Sequence, residues 1–124
     1  MQAVLVERLS MDLSGVRLAD IAVPHRSASQ VLVQIKASSL NFPDLLMTRG
    51  EYQFKPEPPF IAGLEFAGDV IEADADSGFA AGDRVYGGQK TGAMADYAVV
   101  EARALSHIPG DLSYPAAAAL GAAY

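Results

Sequence analysis

At 124 residues and 13.0 kDa, the chain has room for one domain with a real hydrophobic core and not for two ordinary domains. A hydrophobic content of 51% rules out a disordered chain, and a charged fraction of only 19% hints that some surface is normally covered. A net charge of −6 without a cluster of Lys and Arg argues against nucleic acid and against an anionic membrane surface.

The chain has no cysteine, which removes disulfides, thiolate catalysis and cysteine-based zinc or iron–sulfur sites from these residues. The first residues, Met1-Gln2-Ala3-Val4-Leu5-Val6-Glu7-Arg8, lack the basic and long apolar regions of a signal peptide. No window approaches the roughly 18 apolar residues of a membrane span. A cytoplasmic protein is therefore expected.

Residues 2–8 are rich in aliphatics and read as a first strand. Residues 16–23 alternate apolar and polar, the period of a half-buried strand, and Pro24 ends them. Residues 30–38 are the clearest strand. Val31, Val33, Ile35 and Ala37 are predicted on one face, with Gln30, Leu32, Gln34, Lys36 and Ser38 on the other. The period then changes. Asn41 is placed to cap a short helix with Pro43 in its first turn and Gly50 as its stop.

Pro56, Pro58 and Pro59 exclude regular structure before residue 60. Residues 60–72 are β-like but punctured by Gly63 and Gly68, as where a strand bends or backbone approaches something closely. Residues 81–83 read as a turn into a strand at 84–86. A flexible loop is expected at 87–92, then strands at 93–100 and 105–109. Ser113 caps a last helix with Pro115 in its first turn. Residues 116–124 of that helix are nearly all Ala, Leu and Gly, with no charged face and no stop, which reads as a truncated end. Many short strands with frequent turns and little helix predict a mainly β, α+β domain of barrel or sandwich type.

The order of these pieces resembles the N-terminal, GroES-like catalytic domain of medium-chain dehydrogenases/reductases, in the zinc-independent quinone oxidoreductase (zeta-crystallin-like) branch. The residues carrying the likeness are Asn41-Phe42-Pro43-Asp44, Arg49-Gly50-Glu51-Tyr52, Pro59-Phe60-Ile61-Ala62-Gly63-Leu64-Glu65-Phe66-Ala67-Gly68, Gly82-Asp83-Arg84-Val85, Gly92-Ala93-Met94-Ala95-Asp96-Tyr97 and the closing segment 116–124. The resemblance implies a partly open β-barrel with a few short helices at 1–113, with 114–124 beginning the helix that leads toward a Rossmann domain. The G-x-G-x-x-G fingerprint of that domain is not in this sequence, since Gly87-Gly88 and Gly92 do not fit its spacing.

The same resemblance implies an NADPH-dependent reductase of quinones or α,β-unsaturated carbonyls, a small-molecule substrate and a homodimer when full-length. On that view the 124 residues alone are inactive. Alternatives are an enoyl-thioester reductase acting on CoA- or carrier-bound substrates, and a non-enzymatic GroES-like binding or assembly module.

In zinc-dependent relatives a Cys takes the place of Asn41 and a His-Glu pair the place of Leu64-Glu65. Leucine cannot ligate a metal and Asn is a poor ligand for zinc, while His25 and His107 lie far apart in sequence, so no metal is expected. By resemblance Asn41, Phe42, Asp44 and Tyr124 contact the cofactor, Tyr52 and Asp44 act in catalysis, and Tyr52, Leu64 and Glu65 line the substrate pocket. Plainer readings stand beside these. Asn41 caps its helix, Tyr52 packs on the proline loop, and Glu65 pairs with Arg49 or Arg84. Asp83-Arg84 reads as a turn and sheet feature, and Gly63, Gly68 and Gly82 as backbone geometry.

Overall fold

The computed structural model describes residues 1–123. Their strands are β1 (Gln2–Val6), β2 (Val16–Asp20), β3 (Gln30–Ser39), β4 (Phe60–Ile61), β5 (Glu65–Glu72), β6 (Arg84–Gly88), β7 (Tyr97–Glu101) and β8 (Leu105–His107). Helix α1 (Phe42–Arg49) follows β3, and α2 (Tyr114–Ala123) follows β8. A small antiparallel sheet has the order β2-β1-β4, and a larger one β7-β3-β5-β6-β8. No helix among the described residues is long and apolar enough to cross a membrane.

The segment just before β7 stitches the two sheets together. Val4 N–H donates to Met94 O at 2.8 Å, Asp96 N–H donates to Gln2 O at 3.0 Å, and Ile35 N–H donates to Asp96 O at 2.8 Å. Residues 94–96 therefore satisfy backbone groups of β1 on one side and β3 on the other. The result is a mainly β, α+β domain whose two sheets are joined through this segment.

Alternation puts Val31 and Val33 of β3, Phe66 and Val70 of β5, Val85 of β6 and Val100 of β7 into one core, each fully buried. Burying a side chain of this size stabilises by about 1.5–3 kcal/mol before entropy is counted. Ala37, expected on the same face, leaves it. Ile35 lies opposite Gly68 and Ala37 opposite Ala67, so Lys36 is an extra residue in β3 and the pleat changes face there. Ala37 instead packs with Ala67 and Ile108 under α2. Ser38 Oγ then donates to Ala93 O, and Ser39 Oγ donates to Ala118 O at 3.2 Å.

Other boundaries differ from expectation as well, β1 ending at Val6 rather than Arg8 and β8 at His107 rather than Pro109. Gly87 and Gly88 are strand, not loop, because they pair with Phe66 and Glu65 of β5. The strand expected from residue 93 begins at Tyr97, since residues 94–96 are engaged with β1. The second strand ends at Asp20 rather than 23, after Ile21 N–H turns to Met1 O.

Ser113 caps α2 through Oγ, which accepts from Ala116 N–H at 3.2 Å. Ala117 and Ala118 press against Ala67 and Ile108. Tyr114 fixes the helix: its hydroxyl donates to Asp69 Oδ1, and the Arg84 guanidinium lies 4.6 Å above its ring. Arg84 also donates to Leu112 O at 2.6 Å and Gly110 O at 3.3 Å. Tyr114→Phe is expected to cost about 1–2 kcal/mol, because a part-buried bond to a carboxylate is lost while the ring packing stays. The urea midpoint measures this, and an unchanged midpoint would refute the clamp.

Candidate functional site

Helix α1 is specified by its ends. Asn41, with φ −122° and ψ 163°, is extended and stands at the N-cap, and Pro43 sits in the first turn, where its missing N–H costs nothing. Asp44 Oδ2 accepts from Asn41 N–H at 2.8 Å, reaching back as the reciprocal arm of a capping box. The Asn41 amide itself donates to Ser39 Oγ at 3.3 Å. Gly50 ends the helix with φ 71°, a left-handed conformation that suits glycine.

Opposite Asn41, the chain between β4 and β5 turns at Gly63, whose φ is 106°. A Cβ there would lie 2.7 Å from Met94 N. This turn delivers Leu64 and Glu65 to the start of β5. Leu64 O accepts from Gln89 N–H at 2.8 Å, and Glu65 pairs with Gly88. A Cβ on residue 88 would stand 3.2 Å from Leu64 O and in ordinary contact, at 3.4 Å, with Glu65 Oε2, which places the carboxylate beside the Gly88 backbone.

Asn41, Tyr52, Leu64 and Glu65 line one cavity of about 430 Å³, together with Pro43, Gly88 and Gln89. The last three are not found as site residues from the sequence. The signal for Gly88 and Gln89 is the pairing of β6 with β5, which period alone does not reveal. Asp44 and Phe42 stand apart from this group, on a second and larger cavity of about 550 Å³ that shares only Asn41 with the first. Phe42 is 69% exposed, whereas Asp44 is 3% exposed and its Oδ1 has no hydrogen-bond partner among the described residues. Tyr124 lies outside the described residues.

Burial pushes the Asp44 carboxyl up from its ordinary range, against the pull of the Asn41 and Gly63 N–H groups. Burial also raises Glu65, and the nearby Asp44 charge adds to it. Glu65 forms no ion pair among the described residues, contrary to the expected pairing with Arg49 or Arg84. Arg84 is instead taken up by the carbonyls ahead of α2 and by the Tyr114 ring. Asp83 Oδ2 accepts from Ala80 N–H at 2.9 Å and lies 3.3 Å from His107 Nε2, as befits a turn and sheet feature.

The donor set does not suit zinc. Leu64 has no lone pair to give, the Asn41 amide is directed to Ser39, and Asp44 is committed to its cap. Among the described residues no three His, Cys, Asp or Glu side chains converge. The groups at the smaller cavity can instead donate and accept hydrogen bonds around a small polar molecule: an amide at Asn41, another at Gln89, a phenol at Tyr52 and a carboxyl at Glu65.

Residues 27–110 match the family of the alcohol dehydrogenase GroES-like domain. The chain belongs to this family. It falls within the medium-chain dehydrogenase/reductase superfamily, among quinone oxidoreductase-like relatives. It is 43% identical over 99 residues to the quinone oxidoreductase-like protein 2 homolog of Nematostella vectensis, covering 77% of this chain and 27% of that protein. The crystal structure of a probable oxidoreductase from Mycobacterium abscessus superimposes with a TM-score of 0.90 at 37% identity, covering 97% of this chain and 38% of the other. The quinone oxidoreductase of Thermus thermophilus, solved also as its complex with NADPH, gives a TM-score of 0.83 at 32% identity, covering 97% and 36%. The chain thus spans 27% to 38% of the length of these relatives.

Proposed function

We propose that this domain forms the substrate-side wall of an NADPH-dependent, zinc-independent oxidoreductase that reduces quinones or α,β-unsaturated carbonyls. The observation that carries this reading is the convergence of Asn41, Tyr52, Leu64 and Glu65 on one cavity of about 430 Å³, inside the range of small-molecule sites. The quinone oxidoreductase relatives, one of them with an NADPH complex, support the reaction class. The relatives' remaining length is where the dinucleotide-binding domain would lie.

NADPH, when bound, supplies the hydride. Asn41 and the exposed Phe42 beside it are the residues that would hold its nicotinamide end, since they combine an amide with a free aromatic face. Asp44 acts through Asn41: its carboxylate holds the N-cap backbone and so fixes where the amide stands. Leu64 contributes an apolar wall that excludes water from the reacting carbonyl. Tyr52 donates a hydrogen bond, and then a proton, to the carbonyl oxygen. The phenol is recharged from solvent after the transfer.

In the complete protein, Tyr52→Phe is expected to lower kcat for an enone by about 100-fold while NADPH affinity is unchanged. Steady-state kinetics with a separate NADPH titration checks this, and an unaltered kcat removes Tyr52 from the mechanism. The 124-residue chain mixed with NADPH and a quinone is expected to give no sustained NADPH oxidation. Sustained turnover would overturn the two-domain reading.

A further inference from the structure

The larger cavity shares Asn41, Phe42 and Asp44 with the reading above, but its remaining walls have no part in that chemistry, and it is the more apolar of the two. Its walls are aliphatic: Val4 from β1, Val16 from β2, Leu45 from α1 and Met94 from the segment that stitches the sheets. Its rim is formed by exposed apolar side chains, with Leu13 at 48%, Leu40 at 77% and Phe42 at 69% exposure. The charged side chain on it, Asp44, is buried, with Oδ2 held by its own helix cap and Oδ1 without a hydrogen-bond partner among the described residues.

Leu13 adds an independent observation. Its φ is 66°, a left-handed backbone that an ordinary side chain adopts only under strain and that Asn or Gly adopts readily. A leucine kept at such a position, half-exposed and facing an apolar cavity, is strain held in place at a ligand-facing turn. Volume points the same way. About 550 Å³ lies within the range of small-molecule sites. Asn41 borders both cavities and is the wall they share.

We propose that the apolar cavity holds the aliphatic chain of a substrate whose carbonyl ring lies in the Asn41–Tyr52–Glu65 cavity. The preferred substrates are then quinones or enones carrying a long alkyl or prenyl substituent. This rests on the carbonyl-reduction reading for the head group and on the apolar cavity alone for the tail.

The test uses the 124-residue chain and 1,4-benzoquinones bearing no, a hexyl or a decyl substituent, with decanol as a chain without the ring. The absence of cysteine keeps these quinones from forming thioether adducts. Methyl NMR titrations are expected to show shifts at Leu13, Val16, Leu45 and Met94 for the alkylated quinones and for decanol. Affinity should rise with chain length by up to about fourfold per methylene, the full value of one buried CH₂. Leu13→Asn relieves the strained backbone, so it keeps the fold while weakening the decyl compound by about tenfold or more and sparing unsubstituted benzoquinone. Leu45→Trp fills the cavity and should flatten the dependence on chain length.

Equal affinities across the series, or shifts confined to the Tyr52 cavity, overturn the proposal and leave the carbonyl reading intact. Decanol seated at those methyls while the quinones fail to bind would uphold the chain site and overturn the head-group reading. A length dependence untouched by both variants also overturns the proposal.

Discussion

Gly68→Ala is expected to remove a large share of the chain's folding stability at room temperature. Gly68 lies in the middle of β5, opposite Ile35 of β3 and Val85 of β6, at the centre of the five-stranded sheet. A Cβ there would drive into the backbone carbonyl of Gln34 and stand 3.0 Å from Val33 Cγ1. Neither neighbour can yield, since Gln34 is paired on its other side with Tyr97 and Val33 is fully buried. Prying β3 from β5 would also open the core around Phe66 and Val70. The cost is therefore about 4 kcal/mol or more, against a total stability of about 5–15 kcal/mol for a domain. Gly78→Ala is the control. None of the described residues lies within 4 Å of its Cβ position, so only its φ of 86° is penalised, at about 1–2 kcal/mol. Circular dichroism and urea titration of the two variants decide the matter. A folded Gly68→Ala protein with a midpoint near that of Gly78→Ala would show that close approach at Gly68 is not what the sheet requires.

The same residue shows what the sequence can and cannot convey. Gly63 and Gly68 were legible as punctuation in an apolar run, and the strand is indeed broken at one and crowded at the other. Gly87 and Gly88 looked identical in type yet are strand, because whether a glycine marks freedom or crowding depends on what the partner strand brings against it. Period 2 located β3, but it could not reveal the unpaired Lys36 that sends Ala37 to the α2 side. The short helix at Asn41 was readable from both ends because its cap, proline and glycine act locally. Long-range matters were not. The capture of Arg84 by the carbonyls ahead of α2, the meeting of Gln89 with Tyr52, and the separation of Asp44 from Glu65 onto two cavities all depend on how the sheets fold together.

Asp44→Asn is expected to gain stability relative to the unaltered chain as pH rises from about 4 to 7. The native carboxyl is raised above its ordinary value of 3.8, chiefly by burial. Between the unfolded and folded pKa values the folded state then holds more proton than the unfolded one, so stability falls as pH increases through that window. Asparagine cannot ionise and carries no such loss, and its side-chain oxygen can still accept from Asn41 N–H. Glu65 falls in the same sense, raised first by burial and then by the Asp44 charge. Asp12, held low first by Ser14, Asp74, held low first by Ser29 N–H, and Asp83, held low first by Ala80 N–H, act in the opposite sense, losing stability on acidification. The informative quantity is therefore the difference between variant and unaltered chain at each pH, in which those three groups cancel. Asp44→Ala separates the cap from the charge: it shares the pH slope of Asp44→Asn because neither ionises, but it leaves a part-buried Asn41 N–H without an acceptor and should lie about 1–3 kcal/mol below Asp44→Asn at every pH. Urea midpoints across the range measure both variants, and carboxyl NMR should find Glu65 titrating lower once residue 44 is neutral. A variant-minus-native difference that stays flat with pH would mean that Asp44 is ionised in the fold as easily as in water, and that burial in the first turn of α1 does not govern it.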